Sequence, residues 1–127
     1  MGLNSRMYIE KLIIDEETFT SNWTQSLGAT GRTTGESIQC TADGGFAVLG
    51  SVQSSPGNSD FYLVITDGTG LPLTGQTMTY GGSGNEFGAS LKRTSDDGYV
   101  MIGSTGIPED DNRMFALIKV KSTGSFQ

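Results

Sequence analysis

Glu36-Ser37-Ile38-Gln39-Cys40-Thr41-Ala42-Asp43-Gly44-Gly45-Phe46-Ala47-Val48-Leu49-Gly50-Ser51 occurs a second time in the chain, as Ala89-Ser90-Leu91-Lys92-Arg93-Thr94-Ser95-Asp96-Asp97-Gly98-Tyr99-Val100-Met101-Ile102-Gly103-Ser104. Asp43 falls on Asp96, an offset of 53 residues, and no gap is needed back to Gly28, which falls on Gly81. Between Gly28 and Ser51, nine of 24 positions are identical. Apolar positions match in kind: Ile38 with Leu91, Phe46 with Tyr99, Val48 with Met101 and Leu49 with Ile102. Self-similarity at a fixed spacing is the mark of a repeat architecture and takes precedence over local propensity.

Each copy runs on through a polar loop into a second apolar run, Phe61-Tyr62-Leu63-Val64-Ile65 and, at the same offset of 53, Met114-Phe115-Ala116-Leu117-Ile118. Short runs rich in β-branched and aromatic residues, bounded by Gly, Asn, Asp and Ser, are strand signals. One unit therefore reads as four antiparallel strands: Glu36 to Thr41, Phe46 to Ser51, Phe61 to Thr66 and Thr74 to Tyr80. Asp43-Gly44-Gly45 supplies the hairpin between the first two, because Asp bonds backbone two residues on and Gly adopts positive φ freely. Asp97 replaces Gly44 in the second copy, and Asp tolerates the left-handed region better than most residues. Gly50 and Gly103 mark a close approach of neighbouring backbone.

Four antiparallel strands in about 50 residues is a propeller-blade pattern. These residues resemble a family of bacterial and archaeal β-propeller repeats, distantly kelch-like. The likeness rests on Tyr80-Gly81-Gly82, Ser90, Thr94-Ser95-Asp96-Asp97-Gly98-Tyr99, Gly103-Ser104-Thr105 and Leu117-Ile118-Lys119-Val120-Lys121-Ser122-Thr123-Gly124. It departs at Lys121, where the family has Asp, and at Leu27-Gly28-Ala29, where it has Tyr-Gly-Gly. What the resemblance implies is a fold; propellers host enzymes, lectins and scaffolds alike.

The expected architecture is thus all-β, with blade-like units and about 2.4 of them in 127 residues. Residues 7–26 form a partial unit, 27–80 a complete one, and 81–127 a second that lacks most of its last strand. A propeller closes with about four to eight blades, and about three stacked units are needed to bury a continuous core. A missing strand supplied by another copy would join chains head to tail, into a ring or a filament. Tyr8, Ile9, Leu12, Ile14 and Phe126 are the candidate strand-sharing interface. The rival explanation is that the sequence is a fragment of a longer chain.

Composition excludes several chemistries. Without any histidine there is no Ser-His-Asp or Cys-His unit, no His metal ligand and no imidazole proton shuttle. Cys40 stands alone and reads as a small buried apolar side chain. A formal charge of −6 argues against nucleic acid as a partner. No stretch approaches the ~20 apolar residues of a membrane span, and no signal-peptide core follows Met1.

Three groups remain as candidate sites. Glu109, Asp110 and Asp111 form an acidic loop able to offer oxygens to calcium, although the spacing matches no EF-hand; no other cofactor is expected. Glu36 and Glu86, imagined as a glycosidase pair, occupy non-equivalent positions in their units. Phe46, Tyr62, Tyr99 and Phe115 read as core because they recur at 53. Trp23, Tyr80 and Phe87 have less regular counterparts; core is the leading reading for them, and they are also the candidate ligand-binding residues, a patch for sugar stacking or protein contact. Taken together, the sequence points to a non-enzymatic structural or interaction module that meets other copies of itself or neighbouring subunits. A cell-surface, secreted or virion setting suits it, and a glycan-binding module is the alternative function.

Overall fold

A computed structural model describes residues 6–16, 18–106 and 113–126 of the chain. The described residues contain strands and turns and no helix: β1 (Tyr8–Asp15), β2 (Thr18–Ser26), β3 (Arg32–Cys40), β4 (Phe46–Ser55), β5 (Asn58–Thr66), β6 (Pro72–Tyr80), β7 (Asn85–Arg93), β8 (Tyr99–Gly106) and β9 (Arg113–Val120). Neighbours in sequence pair antiparallel. β1 pairs with β2, β3 to β6 form a four-stranded meander, and β7 to β9 form a second meander. A lone parallel pairing, Ser59 with Asn85, ties β5 to β7. Among the described residues the sheets do not close into a ring.

The ladders recur with the sequence. In β3–β4, Gly35 faces Gly50 and Ser37 faces Leu49, leaving Glu36 as a bulge. In β7–β8, Gly88 faces Gly103 and Ser90 faces Ile102, leaving Ala89 bulged 53 positions later. The glycines opposite the bulges are needed there, since a Cβ at Gly50 would overlap the Thr34 carbonyl and one at Gly103 the Phe87 carbonyl.

One hairpin turn serves four times. Thr41 N–H donates to Gly45 O (3.0 Å) and Gly44 N–H to Thr41 O (3.3 Å). The same two bonds close Asp67–Leu71, Thr94–Gly98 and Lys121–Ser125. This is a type I turn followed by a left-handed residue, and that residue is Gly44 (φ 86°), Gly70 (82°), Asp97 (60°) or Gly124 (84°). Asp97 carries the strain of a side chain at positive φ, and its carboxylate accepts from Arg93 Nε (3.2 Å).

The sheets stack in three layers with two cores between them. One core lies between the β1–β2 hairpin and the first meander: Met7, Ile9 and Leu27 pack against Val48, Val52, Tyr62 and Val64. The other lies between the meanders and joins Ala47, Leu49, Phe61, Leu63 and Ile65 to Leu91, Tyr99, Met101 and Val120. β4 and β5 are therefore apolar on both faces, and β5 is buried from Phe61 to Thr66. Fully burying side chains of this size contributes about 1.5–3 kcal/mol each.

Pairing also corrects the third strand. Val48 faces Val64 in the first meander, whereas Met101 faces Ile118 in the second, so β5 maps onto β9 at an offset of 54. One extra residue between β8 and β9 moves the whole strand by one, and a one-residue shift exchanges its faces. Phe115 consequently corresponds to Phe61 and not to Tyr62. It is exposed, not core, while Tyr62 and Tyr99 are buried and Phe46 half-buried. Cys40 is exposed as well, contrary to the buried reading, because it closes β3 at the edge of its meander.

Gly103→Ala is expected to destabilise the fold by roughly 2 kcal/mol or more, since the added methyl meets backbone that cannot swing away. Gly82→Ala, where a Cβ meets nothing within 4 Å, serves as its control and is expected to stay within about 0.5 kcal/mol of the parent. Urea denaturation midpoints of the two variants check both.

Candidate functional site

Two features carry polar chemistry, and both sit where the first meander hands over to the second. The β6–β7 connection, residues 81–84, passes over a cluster of side chains. Thr105 Oγ1 donates to Glu86 Oε1 (2.8 Å) and Gly82 N–H to Glu86 Oε2 (3.2 Å). The Asn58 amide, oriented to satisfy its donors, reaches the carbonyls of Gly84 (2.8 Å) and Gly82 (3.2 Å). Ser59 N–H donates to Asn85 Oδ1 (3.0 Å), closing the join.

Asp60 lies against Glu86 in this cluster. Burial, then the Glu86 charge and a hydrogen bond between the two carboxyls, raises the Asp60 pKa above its ordinary 3.8. Burial and an anionic neighbour both disfavour the charged form of a carboxyl. Such a pair is the raw material of acid–base chemistry, but here its atoms are occupied. Glu86 is buried and holds Gly82 and Thr105. At Gly81 a Cβ would overlap both carboxyls, so the connection is laid directly across them. The absence of a side chain at Gly81 thus lets the connection lie directly on the Asp60 and Glu86 carboxyls.

Beside the cluster lies a hollow of about 370 Å³ lined by Arg32, Thr34, Glu36, Ser51, Gln53, Ser59 and Phe87. Polar side chains line most of it and Phe87 gives it one aromatic face. Phe87 is partly exposed, with the Arg113 guanidinium 5.7 Å from its ring centre. Ser51 Oγ accepts from Gly88 N–H (3.1 Å), which fixes the wall between the meanders. A second hollow, about 470 Å³, is lined by Arg6 and the segment 28–31.

The aromatic candidates do not come together. Trp23 is half-buried in the core under the hairpin, tilted against Phe46 with ring centres 5.7 Å apart. Tyr80 is buried between the meanders, donates to the Gly124 carbonyl and meets Phe126 edge-on at 5.2 Å. Burial pushes its phenol up to about 12. Phe87 alone faces a hollow. Glu36 lines that hollow too, while Glu86 turns to Asp60, so the imagined glycosidase pair is not assembled.

Of the interface candidates, Tyr8, Leu12 and Ile14 of β1 are exposed, Ile9 is buried, and Phe126 is exposed apart from its Tyr80 contact. Glu109, Asp110 and Asp111 lie outside the described residues. Among the described residues no three or more of His, Cys, Asp and Glu cluster as metal ligands, and no helix is long and apolar enough to cross a membrane. Sequence reasoning missed Asp60; its only trace was an Asp directly before an apolar run. Scans against protein-family models, curated proteins and solved structures find no match.

Because the folded Asp60 binds its proton more tightly than the unfolded chain does, this group favours folding at low pH. That contribution is lost as pH rises through the elevated pKa. Asp60→Asn keeps the shape and offers Glu86 an amide donor. Its melting temperature is expected to gain on the parent as pH rises from about 4 and to level off once the raised pKa is passed; a difference that is flat or shrinks with pH refutes the raised Asp60 pKa.

Proposed function

We propose that the chain is a non-enzymatic structural or interaction module, built of propeller-type β units and working by contact with other copies of itself or with neighbouring subunits. The observation that carries this reading is the recurrence of one bulged ladder at a spacing of 53 together with one turn used four times. Equivalent layers stacked in series are how repeat proteins build a core, and each layer contacts only its neighbours. The close carboxyl pair supports the non-enzymatic part, because Glu86 is engaged in holding the connection between layers and Asp60 bonds to Glu86. A surface scaffold or a virion component is the setting that suits such a module.

The hollow at Phe87 favours one second reading, a glycan-binding module. An aromatic face beside hydroxyls, a carboxylate and an amide is the composition on which sugars stack and bond.

Light scattering across micromolar concentrations separates them from the start: the module reading expects assemblies larger than one chain, and a folded monomer throughout overturns it. Saturable binding on a glycan array, abolished in Phe87→Ala and retained in Trp23→Phe, is the outcome the second reading expects.

A further inference from the structure

We propose that the two outward faces of the stack are complementary halves of one interface, through which a second copy of this chain packs face on face, head to tail. The inference rests on the module reading above and specifies its contact surface.

The tail face belongs to the second meander. Its ladder places Ser90, Ile102 and Leu117 in one row, Lys92, Val100 and Lys119 in the next, and Ser104 with Phe115 beyond. The corresponding rows of the first meander are Ser37, Leu49 and Leu63; Gln39, Ala47 and Ile65; and Ser51 with Phe61. Phe61 and Leu63 are 0% exposed, covered by the next layer of the same chain, whereas Phe115 and Leu117 are 70% and 61% exposed. The same kind of surface is thus sealed once within the chain and open once at its end.

The head face belongs to β1. Met7 and Ile9 point into the core under the hairpin, so Tyr8 and Glu10 point away, as strand alternation requires; from Lys11, where the pairing with β2 shifts register, β1 is exposed on both faces, so Leu12 and Ile14 extend the open surface. Tyr8 and Ile14 are 66% and 69% exposed. Tyr62, the residue of β5 that faces the hairpin, is buried in the corresponding orientation. Layer order inside the chain therefore presents a forward face to the next layer and a rear face to the previous one, at both internal junctions. One face of each kind is left uncovered: the outer face of the β1–β2 hairpin and the outer face of the second meander.

A second copy is the occupant that this order favours, because its head face has the orientation of the layer that covers Phe61 and Leu63. Charge agrees: Glu10 sits in the head row, while Lys92 lies beside Val100 on the tail face; Lys119, on its other side, is already paired with Asp96 (2.6 Å). Contact of unlike faces is heterologous, and it propagates unless rotation closes it. This differs from strand sharing, since the contact is made by side chains across stacked sheets and not by backbone ladders at an edge.

Sedimentation velocity of the intact chain and two double variants tests the assignment. The head variant carries Tyr8→Asp and Ile14→Asp, the tail variant Phe115→Asp and Leu117→Asp. All four residues are exposed, so circular dichroism and melting are expected to stay close to the parent; Ser replaces Asp wherever they do not. The parent is expected to assemble, each variant alone to self-associate about ten-fold or more weakly, and an equimolar mixture to form a discrete dimer that grows no further. A parent that assembles with variants that assemble equally well overturns this inference and leaves the module reading standing. A variant that dimerises with itself, or a mixture that stays monomeric, also overturns it, and a monomeric parent overturns both.

Discussion

Everything in this fold depends on a sheet that is buried on both sides without a helix to cover it. β4 and β5 form the middle layer, and each must supply apolar side chains to two cores at once. A strand in an antiparallel sheet ordinarily alternates apolar and polar residues. β5 cannot, and its run from Phe61 to Ile65 is continuously apolar for that reason. The outer layer is covered on one side only, yet β9 keeps a continuous apolar run from Met114 to Ile118 and exposes Phe115 and Leu117.

Close packing of bare sheets also dictates the glycines. Within each sheet the bulges at Glu36 and Ala89 bring the Thr34 and Phe87 carbonyls of the paired strand against Gly50 and Gly103, and between the meanders Gly88 lies against the Gly50 carbonyl. The linker glycine Gly81 lies instead over side chains, the carboxyls of Asp60 and Glu86. Glycine abundance in this chain is thus a packing requirement at several positions and a turn requirement at others, such as Gly44 and Gly70.

Much of the strand order was legible because turn chemistry and apolar runs are local signals. Asp43-Gly44-Gly45 and Asp96-Asp97-Gly98 specify their hairpins within a few residues, and the strands meet there at Cys40 with Phe46 and Arg93 with Tyr99, but β3 runs back to Arg32 through the bulge at Glu36, beyond the start read at Glu36. Facing was less legible, because it depends on a register set across strands. An ungapped repeat put Phe115 opposite its true orientation, although Phe61, Leu63, Thr69 and Gly70 match Phe115, Leu117, Thr123 and Gly124 at 54. Cys40 was misread for a related reason: a residue at a strand end on a sheet edge escapes the alternation that its neighbours obey. Asp60 was invisible, since its partner Glu86 is distant in sequence and met only through the parallel contact of β5 and β7.

The meander topology has a kinetic side. Apart from Ser59 with Asn85, every ladder joins strands adjacent in the chain, through turns of a few residues or the β8–β9 segment. Closing short loops is entropically inexpensive, and folding is fast where pairings are local. A chain leaving the ribosome can finish the β1–β2 hairpin before β3 exists, and can finish the first meander before β7 arrives to cover it. Order of synthesis and order of stacking coincide, so each new layer finds its template already formed.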